Sequence, residues 1–111
     1  MDHSLYPLSG GELAAMRRDL APETLRAFEA FSRQAFADGA LDARTKQLIA
    51  VAVAHVTQCP YCIRGHTKAA LKAGASDKQI MEAIWVAAEM RAGASYAHSL
   101  LALDDISTQQ V

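Results

Sequence analysis

The fold is decided by residues 43–58, which read ARTKQLIAVAVAHVTQ. From Leu48 to Val56 the stretch is apolar nearly all round a helix, and Asp42 directly before it is a favourable N-cap residue. A helix that lacks a polar face is normally buried among other elements. We therefore expect a central, buried helix with the rest of the chain packed around it.

Start and stop signals predict further helices on both sides of this segment. Ser9 and Glu12 have the spacing of a capping box, and Pro22, Pro60 and Ser76 suit helix starts. Glycines follow the apolar periodicity where the helices should end. The predicted helices cover residues 10–20, 22 to about 39, 43–58, 60–73, 77–93 and 94–106. No segment predicts a strand, so the sequence indicates an all-α bundle of about six helices, forming one domain over residues 1–111.

Composition and charge exclude several classes of protein. The 111 residues carry a net charge of −1 without a basic run, so we expect no nucleic-acid partner. No apolar run approaches the ~20 residues that span a bilayer, and the start, MDHSLYPLSGGE, lacks the features of a secretory signal. We expect a cytoplasmic protein. Its 51% apolar residues are many for so small a chain, which predicts self-association, with Phe28, Phe31 and Trp85 in the core or between subunits.

The chemistry-bearing motif is TQCPYCIRGHTKAAL, residues 57–71. Pro60 fixes the start of a helix, so Cys59 becomes its N-cap and Cys62 lies in its first turn. Both thiols then lie at the positive end of the helix dipole, where a thiol pKa can fall from ~8.5 into the ~3.5–7.5 range. His66 follows Cys62 by one turn on the same face and can accept the thiol proton.

Three other interpretations of the motif remain open. A structural disulfide between Cys59 and Cys62 would close a loop too short to stabilise the fold much. A zinc site would need a fourth ligand such as His55 or His98, because the chain has no second Cys-x-x-Cys. The spacing could also be coincidental. A dithiol with a histidine at a helix start favours redox chemistry, and we expect no cofactor and no metal.

The neighbouring helix carries two polar residues, Gln47 and His55, on one stripe. A very short connection should make the two helices antiparallel, which places His55 near Cys59 and Gln47 near the level of His66. The pair either lines the thiol pocket and orients His66, or consists of core polar groups satisfied by backbone or water. Tyr61, inside the motif, is either a proton donor or a residue of internal packing or subunit contact.

The stretch ARTKQLIAVAVAHVTQCPYCIRGHTKAALKAGASDKQIMEAI resembles the AhpD-like group of the carboxymuconolactone decarboxylase family, and the resemblance extends roughly from Leu41 to Ala102. It implies an all-helical fold that assembles into homotrimers or homohexamers. It also implies a thiol peroxidase and disulfide reductase acting on a small hydroperoxide, with an external dithiol reductant of the lipoyl or thioredoxin type. In that activity Cys62 would attack the peroxide, Cys59 would resolve the product, and His66 would relay protons.

The chain departs from the AhpD pattern at two positions. The family's glutamate, twelve residues before the first cysteine, is replaced by Gln47, and the histidine between the cysteines is replaced by Tyr61. A glutamine cannot accept the relayed proton and can only orient a water or an imidazole. His55 is the candidate for replacing the missing base.

Two alternative functions remain open, the first from the dithiol itself and the second from the resemblance. In the first, the dithiol switches an interface in a redox-sensing or binding module that has no turnover. In the second, the chain is a lactone decarboxylase-type enzyme, a branch of the family that lacks this dithiol.

Overall fold

The computed structural model describes residues 5–109, and this range contains α-helices without a strand. The helices are α1 (Gly11–Leu20), α2 (Pro22–Phe36), α3 (Ala43–Thr57), α4 (Pro60–Lys72) and α5 (Asp77–Thr108). The all-α prediction is therefore confirmed. The first four residues of the N-terminal segment considered above lie outside the described range. Within that range, no helix combines the length and apolar content needed to cross a membrane.

The predicted count of six helices is wrong, because α5 runs without a break through Gly93. A glycine inside a helix costs only about 1 kcal/mol relative to alanine. Its neighbours Ala92 and Ala94 are strong helix formers, and they offset that cost. The resulting helix has 32 residues, and it joins the two segments that were predicted separately.

Side-chain caps define three helix starts as predicted from the sequence. Asp42 Oδ1 accepts a hydrogen bond from the Thr45 N–H at 2.7 Å, and Ser76 forms a reciprocal capping box with Gln79. Cys59 caps α4 through its sulfur. The capping box predicted at Ser9 is not formed. Gly10 is the N-cap of α1 without a side-chain hydrogen bond, because the chain enters the helix through Gly11 at a φ of 68°.

The core lies where α3 packs against both α4 and α5. Its buried members are Val51, Ala70, Ala75 and Ile80, with Leu48 and Ile84 packed against them. The prediction that α3 is buried on all sides is only partly correct. One face is covered by the two neighbouring helices, whereas the other remains about half exposed, at Ile49, Val53 and Val56.

The chain is elongated, and many of its apolar side chains face outward. It measures 61 × 33 × 28 Å with a radius of gyration of 19.3 Å, where a compact domain of this length would have about 13 Å. Phe28, Phe31 and Trp85 are 65%, 61% and 66% exposed. Of the two places predicted for them, the core of the subunit is therefore wrong, and subunit contact remains a prediction.

Candidate active site

The N-terminus of α4 brings the two thiols together. Cys59 has extended backbone angles, φ −102° and ψ 103°, and Pro60 starts the helix immediately after it. The Cys62 N–H donates a hydrogen bond to the Cys59 sulfur at 3.3 Å. Both cysteines are free thiols and are partly buried. The two cysteines are therefore held close together at the start of one helix.

The two thiols differ in acidity because one serves as donor and the other as acceptor. The Cys62 side chain donates to Cys59, and with the Cys62 and Tyr61 backbone N–H groups this lowers the pKa of the Cys59 thiol. The pKa of Cys62 is raised, because its proton is shared with Cys59 and its charged form is partly desolvated. The sequence predicts a lowered pKa for both; in the reduced pair, however, Cys59 ionises first.

His66 is held by two side chains from other helices. Its Nδ1 lies 2.8 Å from Gln47 Oε1, and its ring stacks on Phe36 with centroids 5.1 Å apart and an interplanar angle of 21°. An amide oxygen only accepts, so His66 Nδ1 carries the hydrogen and Nε2 is left free to accept a proton. Gln47 thus fixes the tautomer that a general base requires.

Cys62 and His66 face the same two cavities. The first has a volume of about 420 Å³, and the second, on the Tyr61 side, about 530 Å³. Both lie within the range of small-molecule sites. Among the residues described, no hydrogen bond joins His66 to Cys62 directly, so a proton passing between them needs a bridging water, a substrate atom or a change of rotamer. The first cavity is lined mainly by apolar side chains, together with Lys46 and Thr57.

The structure places His55 apart from these cavities. Its Nδ1 donates to the Val51 carbonyl at 2.7 Å, one turn earlier in α3, and the residue lines neither cavity. His55 is therefore a helix residue satisfied by its own backbone, as one of the two sequence interpretations holds. Among the described residues, no hydrogen bond joins it to His66.

Tyr61 connects the thiol motif to the N-terminal segment. Its hydroxyl donates to the Pro7 carbonyl at 2.6 Å, and its ring meets Tyr6 edge-on at a centroid distance of 6.0 Å. The packing interpretation of Tyr61 therefore has structural support. Neither Phe36 nor Pro7 was identified from the sequence as part of the site, because no local motif links them to residues that are far apart along the chain.

A zinc site has no complete ligand set in the part of the chain that the structure describes. No three His, Cys, Asp or Glu side chains gather there in a way that could hold a metal ion. His98, one of the two fourth ligands considered, lies exposed on α5, and its Nδ1 donates to the Ala94 carbonyl at 2.8 Å.

Comparison with known proteins finds related sequences and solved structures with a similar fold. "Uncharacterized protein 4 in cox locus" of Paracoccus denitrificans is 71% identical over 83 residues, which are 72% of this chain and 75% of that relative. A carboxymuconolactone decarboxylase family protein from Legionella pneumophila, solved in its apo form, is 37% identical with a TM-score of 0.67, over 70% of each chain.

A family protein from Thermotoga maritima, for which an involvement in antioxidative response has been suggested, is 28% identical with a TM-score of 0.55. That match covers 77% of this chain and 96% of the other. The model of the carboxymuconolactone decarboxylase family matches residues 22–105, which include α2 to α4 and most of α5. The chain thus belongs to the carboxymuconolactone decarboxylase family.

Proposed function

We propose that this protein is a thiol-dependent peroxidase and disulfide reductase. The observation that carries the proposal is the arrangement of Cys59, Cys62 and His66. Two free thiols lie at one helix N-terminus, where the Cys62 N–H donates to the Cys59 sulfur, and the second thiol lines a mainly apolar cavity together with His66. The suggested role of the Thermotoga maritima relative in antioxidative response agrees with this chemistry.

In the proposed reaction, Cys62 is the thiol that meets the peroxide, because it lines both cavities whereas Cys59 lines neither. His66 Nε2 accepts the Cys62 proton through a bridging water or after a change of rotamer, and the thiolate attacks the outer peroxide oxygen. The O–O bond breaks, Cys62 becomes a sulfenic acid, and the alkoxide takes the proton from His66 and leaves as an alcohol.

The acidity of Cys59 suits the second step. Its thiolate attacks the Cys62 sulfenic acid, the S–O bond breaks, and the hydroxide leaves as water after taking up one proton. The product is an intramolecular disulfide. An external dithiol, of the lipoyl or thioredoxin type, then reduces it by thiol–disulfide exchange and is itself oxidised.

We further propose that the active form is a homotrimer or homohexamer. The chain exposes 8982 Å² of surface, where a folded monomer of 11.9 kDa would expose about 6,000 Å². The difference is comparable to the area that large obligate interfaces bury. Phe28, Phe31 and Trp85 are the candidate contact residues, because they are exposed and apolar.

The test is turnover of cumene hydroperoxide with dihydrolipoamide or reduced thioredoxin as the reductant. We expect consumption of peroxide and reductant in equal amounts, and loss of activity in both Cys59→Ser and Cys62→Ser. Disulfide formation without turnover would instead support the redox-sensing module. Activity that survives both serine variants would show that the thiols are not catalytic. The decarboxylase-type alternative would then be the one to test.

A further inference from the structure

The mainly apolar cavity at Cys62 has a single lysine in its wall. The cavity lies along one stripe of α3, and the tip of α2 closes one side of it. Lys46 is partly buried, and it is the one residue with a permanent charge among those that line this cavity. A cationic side chain in a mainly apolar wall can attract an anionic group of a ligand.

The charge of Lys46 is not neutralised within the described part of the chain. The salt bridges found there, Arg18–Asp19 and Arg26–Glu23, do not include it. Its Nζ donates to the Ala37 carbonyl at 2.5 Å. Since an ammonium has three N–H donors, two remain for a further partner. A positive charge beside an apolar wall is less screened than one in open water, so it attracts an anion more strongly.

The geometry of α3 sets the shape of the ligand that would fit. From Lys46 to Thr57 the cavity wall extends over twelve residues, or about 16 Å of helix. Ile49 and Val53 supply apolar side chains between these ends, and Cys62 faces the same space from α4. A matching ligand has a hydrocarbon body and one anionic end.

We propose that this cavity binds a fatty-acid-like molecule, with its carboxylate on Lys46 and its hydrocarbon chain along α3. Resting on the proposed peroxidase function, the substrate class is then a carboxylate-bearing lipid hydroperoxide. Two thiols reduce the hydroperoxide to an alcohol and water and become a disulfide, while the carboxylate is unchanged. Lys46 is thus a residue that determines specificity, and it takes no part in electron transfer.

Lys46 also holds the loop after α2 through its hydrogen bond to the Ala37 carbonyl. Replacing it could therefore change the structure of the site as well as its charge. The comparison that separates the two effects uses the 9-hydroperoxide of linoleic acid and its methyl ester, which differ only in the charge at one end. A structural defect would affect both substrates equally. Loss of a charge contact would affect the acid alone.

For the unmodified protein we expect the KM of the acid to be about tenfold lower than that of the ester, as befits one charge-assisted hydrogen bond. Lys46→Met should raise the KM of the acid to that of the ester, and Lys46→Arg should retain most of the preference. Lys72→Met, which removes a charge from the exposed end of α4, is the control and should change neither. Equal KM values in the unmodified protein, or an equal rise for both substrates in Lys46→Met, would overturn the proposal.

A second measurement does not depend on peroxidase activity. Decanoate should protect Cys62 from alkylation by iodoacetamide at lower concentration than decanol, and Lys46→Met should abolish that difference. This result would support the carboxylate site even if hydroperoxides were not turned over. Protection by decanol equal to that by decanoate would refute the site, whether or not the protein is a peroxidase.

Discussion

Gln47 and His66 are nineteen residues apart in sequence and form a hydrogen bond of 2.8 Å between two antiparallel helices. The bond uses the amide oxygen as acceptor, so the imidazole keeps its hydrogen on Nδ1 and offers Nε2 to the cavity. Gln47, which stands where AhpD enzymes have a glutamate, therefore still orients His66. It lacks the negative charge that would stabilise the imidazolium.

The first prediction concerns His66 and this missing charge. His66→Ala should slow peroxide reduction by ~10²–10⁴-fold, the typical contribution of a general base. Gln47→Glu should increase the rate, because a carboxylate stabilises the protonated imidazole. Rates are measured across pH for both variants. His98→Ala and Gln34→Glu are matched controls at exposed positions and should leave the rate unchanged.

If His66→Ala retained the full rate, the proton relay would have to be assigned elsewhere. If Gln47→Glu alone had no effect, the amide would be needed only for orientation. His55→Ala would then be the next variant to measure, although the bond of His55 to the Val51 carbonyl gives no reason to expect a change.

The second prediction is that mild peroxide joins Cys59 to Cys62 within one chain. The two residues lie on one turn at the start of α4, and the sulfur of the first already accepts a bond from the backbone of the second. Mass spectrometry of an unreduced digest would detect the link as a loss of two hydrogens in the peptide that carries both residues. Two free thiols after stoichiometric peroxide would contradict the redox assignment.

The third prediction concerns the pH dependence of alkylation. Because the pKa of Cys59 is lowered, this thiol should react with iodoacetamide at a pH where an ordinary thiol is still protonated. Cys62→Ala removes the leading cause of the shift, the hydrogen bond from the Cys62 side chain, and should move the alkylation midpoint toward higher pH. A midpoint that is the same in both proteins would show that the helix terminus alone sets the acidity.

The same shift has a consequence for stability with a definite sign. A group whose pKa is lower in the folded state stabilises the fold above its unfolded pKa and loses this effect as pH falls through the folded value. For the reduced protein, the contribution of Cys59 should therefore grow as pH rises toward the ordinary pKa of a thiol. Above that pH the raised pKa of Cys62 acts in the opposite direction. Urea titrations of the reduced protein against pH, compared with Cys59→Ala, measure this contribution.

The fourth prediction is that the protein is a trimer or hexamer at micromolar concentration. Phe31→Lys or Trp85→Lys should shift it toward the monomer, because a charge buried in an apolar interface is strongly unfavourable. Ala73→Lys, at an exposed position after α4, is the control for added charge. Light scattering gives the mass directly, and a monomer mass for the unmodified chain would refute the assembly.

Local signals allowed much of this fold to be predicted. Asp42, Cys59 and Ser76 each cap the helix that follows through a bond within three residues, so the sequence pattern contains both partners. The continuation of α5 through Gly93 could not be predicted in the same way. There, a small propensity cost competes with strong helix formers on either side, and no single residue decides the outcome.

The site was predictable only along the helices that carry its motif. Gln47 and His66 came from helical spacing and an antiparallel connection, both of which depend on neighbouring segments. Phe36 reaches the imidazole from α2, and the end of α2 closes the side of the cavity opposite the α3 stripe that includes Lys46. Those contacts depend on tertiary packing, which no pattern in the sequence specifies.

The cap on α4 differs in kind from the caps on α3 and α5. Asp42 and Ser76 satisfy their helices with oxygen atoms whose chemistry is constant, whereas Cys59 uses a sulfur that oxidation transforms. A disulfide sulfur carries no charge and is a much weaker acceptor than a thiolate. We infer that oxidation would replace this hydrogen bond by a covalent S–S link between the N-cap and the first turn of α4, so the proposed redox reaction would change what holds the start of this helix.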